Sequence, residues 1–131
     1  MIAIDSSALI AIFKLEPEAD RFLKTIVAAE GRVISALSVL EVSMVMSGAA
    51  KERDAFAPLD DFLTEAGIQI LPFDAQQARL AREAFMRFGK GRHKAALNLG
   101  DCASYAAAKA KDAPLLYKGE DFPHTDIRPA V

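Results

Sequence analysis

Met1-Ile2-Ala3-Ile4 is an unbroken apolar run that stops at Asp5. Such a run predicts a strand buried on both faces, and strands of that kind belong to parallel sheets. Two serines follow, and Ala8 to Phe13 resumes the apolar pattern as a helix. Pro17-Glu18 opens an amphipathic helix to about Ala29, with Ala19, Phe22, Leu23 and Ile26 on one face and Gly31 as its stop. Arg32-Val33-Ile34-Ser35 reads as a second strand, and Ala36 to about Ser47 as a helix ended by Gly48. Lys51 to Ala66 has a helical pattern with Pro58 inside it, which predicts a break or restart there. Gly67 closes that helix, Ile68 to Leu71 is a third strand, and Asp74 caps a helix from Ala75 to Phe88. By composition, Gly89 to Lys94 is a mobile basic loop. Asn98 to Lys111 is an alanine-rich helix, Pro114 to Tyr117 a fourth strand, and Thr125-Asp126-Ile127 a short edge strand.

This alternation of strand and helix predicts βαβ units, hence an α/β fold with helices on both faces of a small, mostly parallel sheet of four to five strands. With 131 residues, one domain spanning 1–131 is expected. The 52% hydrophobic and 26% charged residues are those of a soluble globular protein, and no apolar run reaches the roughly 18 residues of a membrane span. The N-terminus has no basic n-region and enters directly into a strand. One cysteine and two histidines exclude an internal disulfide and a Cys/His zinc set, so a cytoplasmic protein without a membrane partner is expected.

The net charge of −2 argues against a nucleic-acid partner until its distribution is considered. Arg79, Arg82, Arg87, Lys90, Arg92 and Lys94 face a single acid, Glu83, within one stretch. A local polyanion-binding face inside an acidic protein is compatible with that asymmetry, and a solvated helix face is the plainer alternative.

The acids carry the candidate chemistry. Asp5 follows the first strand, where an open α/β sheet forms its ligand crevice; a simple helix cap is the competing reading. Glu41 has Leu37, Met44 and Val45 as helical neighbours, so a carboxylate projects from an apolar stripe with no basic residue within a turn. Left bare in an apolar setting, it costs several kcal/mol unless paired, protonated or bound to a cation. Asp101 sits in the first turn of the alanine-rich helix, where it also complements the helix dipole. Asp121 follows the fourth strand, with Glu120 its rival for that place. Carboxylates sharing a pocket raise one another's pKa, and a hard divalent cation relieves the repulsion. Oxygen-only ligation points to Mg²⁺ or Mn²⁺, and acidic clusters holding such ions cleave phosphodiesters.

Four stretches, Ile4-Asp5-Ser6-Ser7-Ala8-Leu9, Ser38-Val39-Leu40-Glu41-Val42, Leu97 to Ala106 and Leu116 to Phe122, together resemble the PIN-domain ribonucleases, and among these the VapC toxins of toxin–antitoxin pairs. The resemblance spans almost the whole chain. It implies a PIN-like three-layer α/β/α fold and a Mg²⁺- or Mn²⁺-dependent endoribonuclease acting on structured RNA such as tRNA or rRNA. The implied catalytic and metal-holding acids are Asp5, Glu41, Asp101 and Asp121. Ser7 matches the family's hydroxyl after the first acid and Asn98 the polar residue before the third. Lys90 and Arg92 lie in a basic loop that borders the family's substrate groove, so both are expected to contact RNA. The implied partners are an antitoxin whose C-terminal segment covers the groove, and a second copy of the chain.

Other readings of an α/β chain compete. A receiver-type phosphoacceptor would use Asp5, Asp74 and Lys118, but it wants an acidic pair where Asp5 stands alone, and it leaves Glu41 and Asp101 without a role. A haloacid-dehalogenase-like phosphatase wants an acid where Ser7 stands. A non-catalytic RNA- or protein-binding module has no use for four intact acids.

Overall fold

The computed structural model describes residues 1–48 and 53–131. Four strands, β1 (Ile2–Ile4), β2 (Arg32–Ser35), β3 (Gln69–Leu71) and β4 (Leu115–Leu116), form one parallel sheet in the order β3-β2-β1-β4. In register, Ala3 lies opposite Val33 on one side and Leu115 on the other. The alternation of side chains across these strands builds two cores. Ile2, Ile4, Ile34 and Leu116 face α1 (Ser6–Phe13), α2 (Ala19–Ala28), α3 (Ala36–Ser47) and α4 (Ala57–Glu65), meeting Leu9, Phe22, Ile26, Val42 and Leu59. Ala3, Val33 and Leu115 face α5 (Ala75–Phe88) and α6 (Leu99–Ala110), meeting Ala84, Phe88, Tyr105 and Ala106. The result is the expected three-layer α/β/α arrangement.

The chain moves outward from β1 to β2 to β3, then crosses back through α5 and α6 to place β4 on the other side of β1. That reversal makes β1 the topological switch point, and ligands of open α/β sheets bind in the crevice beyond the carboxyl ends of the strands there. Asp5 is the first residue past that end.

The structure departs from the sequence pattern at the C-terminal turn and at the basic loop, and follows it at Pro58. Thr125-Asp126-Ile127 is a turn and not a strand. The Thr125 hydroxyl donates to the Phe122 carbonyl and accepts the Ile127 N–H, removing that amide from any ladder. Pairing with β4 is instead a single bridge at Pro129, which has no N–H with which to extend it. The expected helix from Lys51 begins outside the described residues; Arg53–Phe56 is a 3₁₀ turn and α4 restarts with Pro58 in its first turn, the break that proline demands. The Gly89–Lys94 loop is cross-braced. Lys90 N–H donates to Leu97 O, Leu97 N–H to Phe88 O, and both Arg92 and His93 N–H to Gly89 O.

The C-terminal turn is fastened to the helical layer by Asp126. Its carboxylate accepts from Tyr105 (2.8 Å) and Lys109 (2.9 Å), while Arg87 donates to the Tyr105 hydroxyl. These hydrogen bonds hold Asp126 below the ordinary carboxyl range despite partial burial, and burial together with Asp126 pushes the Tyr105 phenol well up. Tyr105→Phe should therefore cost about 1 kcal/mol in urea unfolding. Asp20→Ala, which breaks an i,i+4 pair with Lys24 whose side chains are both 78% exposed, should be almost neutral. Equal effects of the two changes would show that the Asp126 fastening is no stronger than a surface pair.

Candidate active site

Asp5 is only 3% exposed, although it is an ionisable residue at the sheet edge. It is the N-cap of α1, so the capping reading holds: Oδ2 accepts the Ser7 N–H at 3.1 Å and also the Ser7 hydroxyl. Ser7 Oγ in turn accepts the Lys118 N–H at 2.9 Å, tying the end of β1 to the residues after β4. Oδ1 accepts a hydrogen bond from Ser104 of α6. Capping and a place in the crevice are therefore not exclusive for this residue.

Glu41 reaches the same edge from α3, whose first turn follows β2 and is capped by Ser35. The apolar stripe expected around it is not core, since Met44 is 66% and Val45 44% exposed. The carboxylate is instead half-buried against α6. A Cβ on Gly100 would fall onto its carboxyl atoms, so only glycine allows this approach. Glu41 Oε1 is buried and accepts no hydrogen bond among the described residues. Burial, then the charge of Asp5 and, more weakly, that of Asp101, raise the Glu41 carboxyl above its ordinary range, with a Ser6 hydrogen bond acting in the opposite sense.

Asp101 is delivered by a capping box. Asn98 Oδ1 accepts the Asp101 N–H at 2.9 Å and Asp101 Oδ2 accepts the Asn98 N–H at 3.0 Å. Burial, then the charges of Asp5 and Asp121, push the Asp101 carboxyl up to about 6, against the lowering effect of the Asn98 N–H. Asp121, exposed at the start of a short 3₁₀ turn, is reached through Gly119, whose φ of +117° turns the chain after β4. Burial and then the charge of the neighbouring Glu120 raise the Tyr117 phenol above its ordinary range. Asp5, Glu41 and Asp101 thus lie within electrostatic reach of one another, and Asp121 within reach of Asp101. Lys90 and Arg92 are exposed, Arg92 over the Phe85 ring, and neither pairs with these acids among the described residues.

Among the described residues, no three His, Cys, Asp or Glu side chains converge as a ready-made metal cage. The donors still suit a hard cation: all are carboxylate oxygens, two are raised in pKa by burial and mutual repulsion, and one buried oxygen has no partner. The receiver arrangement is not formed. Lys118 Nζ lies 3.2 Å from both Glu16 and Glu18, and Asp74 caps α5 by accepting the Gln77 N–H.

An α/β fold with acids gathered at its switch point defines a class of hydrolase-like sites, and the comparisons resolve which. Residues 2–128 match the PIN domain family. The chain belongs to that family and, within it, groups with the VapC ribonucleases. It is 44% identical to Ribonuclease VapC30 of Mycobacterium tuberculosis, covering 96% of this chain and 95% of that one. Among solved structures it resembles M. tuberculosis VapC20, described as a sarcin-ricin loop cleaving toxin, with a TM-score of 0.72 and 17% identity over 98% of this chain and 100% of that one. It likewise resembles a chain of VapBC2 from Rickettsia felis bound to a promoter DNA fragment, with a TM-score of 0.75 and 19% identity over 98% and 96%.

Sequence reasoning passed over Gly100, Ser104 and Ser38. A glycine in the first turn of a helix that otherwise favours alanine was a usable signal, because glycine there costs roughly 1 kcal/mol and calls for a reason.

Asp101 supplies a test that needs no substrate. Its folded pKa of about 6 exceeds the ordinary 3.8, so its contribution to stability is full below about 3.8 and is lost as pH rises through about 6. In chelator, the wild type should lose on the order of 2 kcal/mol relative to Asp101→Asn between about pH 4 and pH 7, read by urea unfolding. The amide oxygen keeps the capping box, so a pH-independent difference would mean that the carboxylate is solvated.

Proposed function

We propose that the chain is an endoribonuclease, the toxin of a toxin–antitoxin pair, which hydrolyses phosphodiester bonds in structured RNA such as tRNA or rRNA with Mg²⁺ or Mn²⁺ as cofactor. The observation that carries this reading is Glu41 Oε1: a buried oxygen without a partner among the described residues, pressed onto Gly100 beside Asp5 and Asp101. Ser6 serves this carboxylate, but a purely structural one would have been given a donor at its buried oxygen as well. The ribonuclease relatives support the chemistry, and the sarcin-ricin loop cut by VapC20 supports a structured RNA.

Asp5, Glu41, Asp101 and Asp121 are the residues that would hold the cation. When bound, such an ion supplies acidity to the attacking water and neutralises charge on the scissile phosphate. Asp5 is fixed in orientation by Ser7 and Ser104. Asp101 commits Oδ2 to the Asn98 N–H and keeps Oδ1 for the site. Glu41 Oε1 is the acceptor left open in the interior. Asn98, at the exposed rim, and Ser7 are candidate RNA contacts, and Lys90 and Arg92 bind phosphates beyond.

Protein partners are part of this reading. A toxin–antitoxin complex from Klebsiella pneumoniae is among the structures of similar fold. Leu40 and Met44 on α3 are exposed, and an apolar groove of about 430 Å³ between α5 and α6 is lined by Phe73, Phe85, Leu99 and Cys102. Apolar surface of this kind fits an antitoxin and a second copy of the chain. Among the described residues no helix is long and apolar enough to cross a membrane, and the single cysteine is a buried free thiol; a cytoplasmic site of action fits both.

Glu41→Gln should abolish RNA cleavage while leaving the metal-free protein as stable as the wild type or more so, since it removes a repelled and partly buried charge. Cleavage at the wild-type rate, or a metal-free variant several kcal/mol less stable, would mark Glu41 as structural. For the basic loop, Lys90→Ala with Arg92→Ala should weaken RNA binding, measured in Ca²⁺, and flatten its log–log salt dependence by about one unit per lost contact. An unchanged salt slope would place the RNA groove elsewhere.

A further inference from the structure

Two buried hydroxyls meet where α3 packs on α6. Ser38 of α3 and Ser104 of α6 are both 0% exposed, and their Oγ atoms are 3.1 Å apart. Each lies three residues from an acid on its own helix, Ser38 before Glu41 and Ser104 after Asp101, so each shares that acid's helix face. The buried neighbours of Ser104 on α6 include Tyr105, Ala103, Ala106, Ala107 and Ala108. An alanine pair would pack in the same place without burying polar atoms, and buried hydroxyls cost free energy unless their hydrogen bonds are used.

The direction of these bonds follows from counting hydrogens. A serine hydroxyl has one hydrogen, and an ionised carboxylate only accepts. Ser104 gives its hydrogen to Asp5 Oδ1, so Ser38 must give its own to Ser104. The relay runs Ser38 to Ser104 to Asp5, and the first bond polarises the second. On the other oxygen, Ser7 supplies both an N–H and an O–H to Oδ2. A carboxylate offers about four acceptor positions. With both of those on Oδ2 filled and one on Oδ1 filled by Ser104, a single position on Oδ1 is left open.

We infer that Ser104, backed by Ser38, is a positioning residue that locks the Asp5 carboxylate so that one Oδ1 lone pair is presented to a divalent cation. This inference rests on the metal-dependent reading of the site. Ser104 touches no substrate; it acts through Asp5. Residues hydrogen-bonded to metal ligands change affinity by about tenfold to a hundredfold when removed, and that is the scale expected here.

The test is Mn²⁺ binding by calorimetry and the Mn²⁺-induced rise in thermal midpoint, on full-length wild type, Ser104→Ala, Ser38→Ala and Asp5→Asn. Ser104→Ala should weaken Mn²⁺ binding by about tenfold or more and shrink the metal-induced rise. Ser38→Ala, which leaves the bond to Asp5 but removes its polarising donor, should weaken binding by less. A packing role predicts another pattern: a lower metal-free midpoint with wild-type Mn²⁺ affinity in both serine variants. That pattern, with Asp5→Asn still losing Mn²⁺, would overturn the relay and leave the site intact. Failure of the wild type to bind Mn²⁺, or wild-type binding by Asp5→Asn, would instead remove the metal reading on which the relay depends. If Ser104→Ala does not fold, Ser38→Ala decides alone, and unchanged Mn²⁺ affinity in it overturns the proposal.

Discussion

Like charges crowded at the carboxyl end of β1 are the constraint on which the rest of the structure depends. Asp5, Glu41, Asp101 and Asp121 arrive from separate elements, and burial with mutual repulsion raises Glu41 and holds Asp101 at about 6. Such a cluster opposes its own folding, so each member needs an anchor that does not neutralise it. Asp5 is anchored by hydroxyls and an amide, Asp101 by a capping box, and Glu41 by the space above Gly100. None of these anchors is a cation. Lysine or arginine in their place would have relieved the repulsion in the apo protein and competed with any metal ion for the same oxygens.

Helix α6 reconciles these demands because its side chains are small where it must come close. Gly100 admits the Glu41 carboxylate, Ser104 reaches Asp5, and the alanines bring the helix onto β1, β2 and β4. One turn of larger residues would push the helix outward and take Asp101 and Ser104 from the crevice together. Its far end has the opposite character. There Tyr105 and Lys109 bind Asp126, fixing the C-terminal turn whose bridge at Pro129 closes the edge of β4.

Much of this was legible in the sequence because strong local rules governed it. The apolar run before Asp5, the glycine stops and the Pro58 restart are decided within a few residues, and the structure follows them. Thr125 to Ile127 defeated the strand reading through a side-chain hydrogen bond that periodicity does not register. The basic loop looked loose by composition, yet its backbone is braced to Phe88 and Leu97 from both sides. Glu41 was singled out on the right anomaly but with the wrong surroundings. Met44 and Val45 face outward, and the burial comes from a glycine 59 positions away in sequence. The Ser38–Ser104 pair was invisible for the same reason, since its meaning lies in a contact between two helices.

The acidic net charge sits less awkwardly with the proposed RNA substrate once the cations are sorted by partner. Lys118 is held by Glu16 and Glu18, and Lys109 by Asp126, so these positive charges are spent on structure. Of the six basic residues between Arg79 and Lys94, only Arg87 has a carboxylate partner among the described residues. The others lie along α5 and the braced loop that leads directly into Asn98 and Asp101. Net charge governs long-range repulsion, which salt screens within about 8–10 Å, whereas contacts to phosphate are made at close range. The cations of this stretch that have no carboxylate partner among the described residues are therefore available to phosphates at close range. That availability suits the proposed reading, in which a cation held by the acids would let a phosphate lie against them.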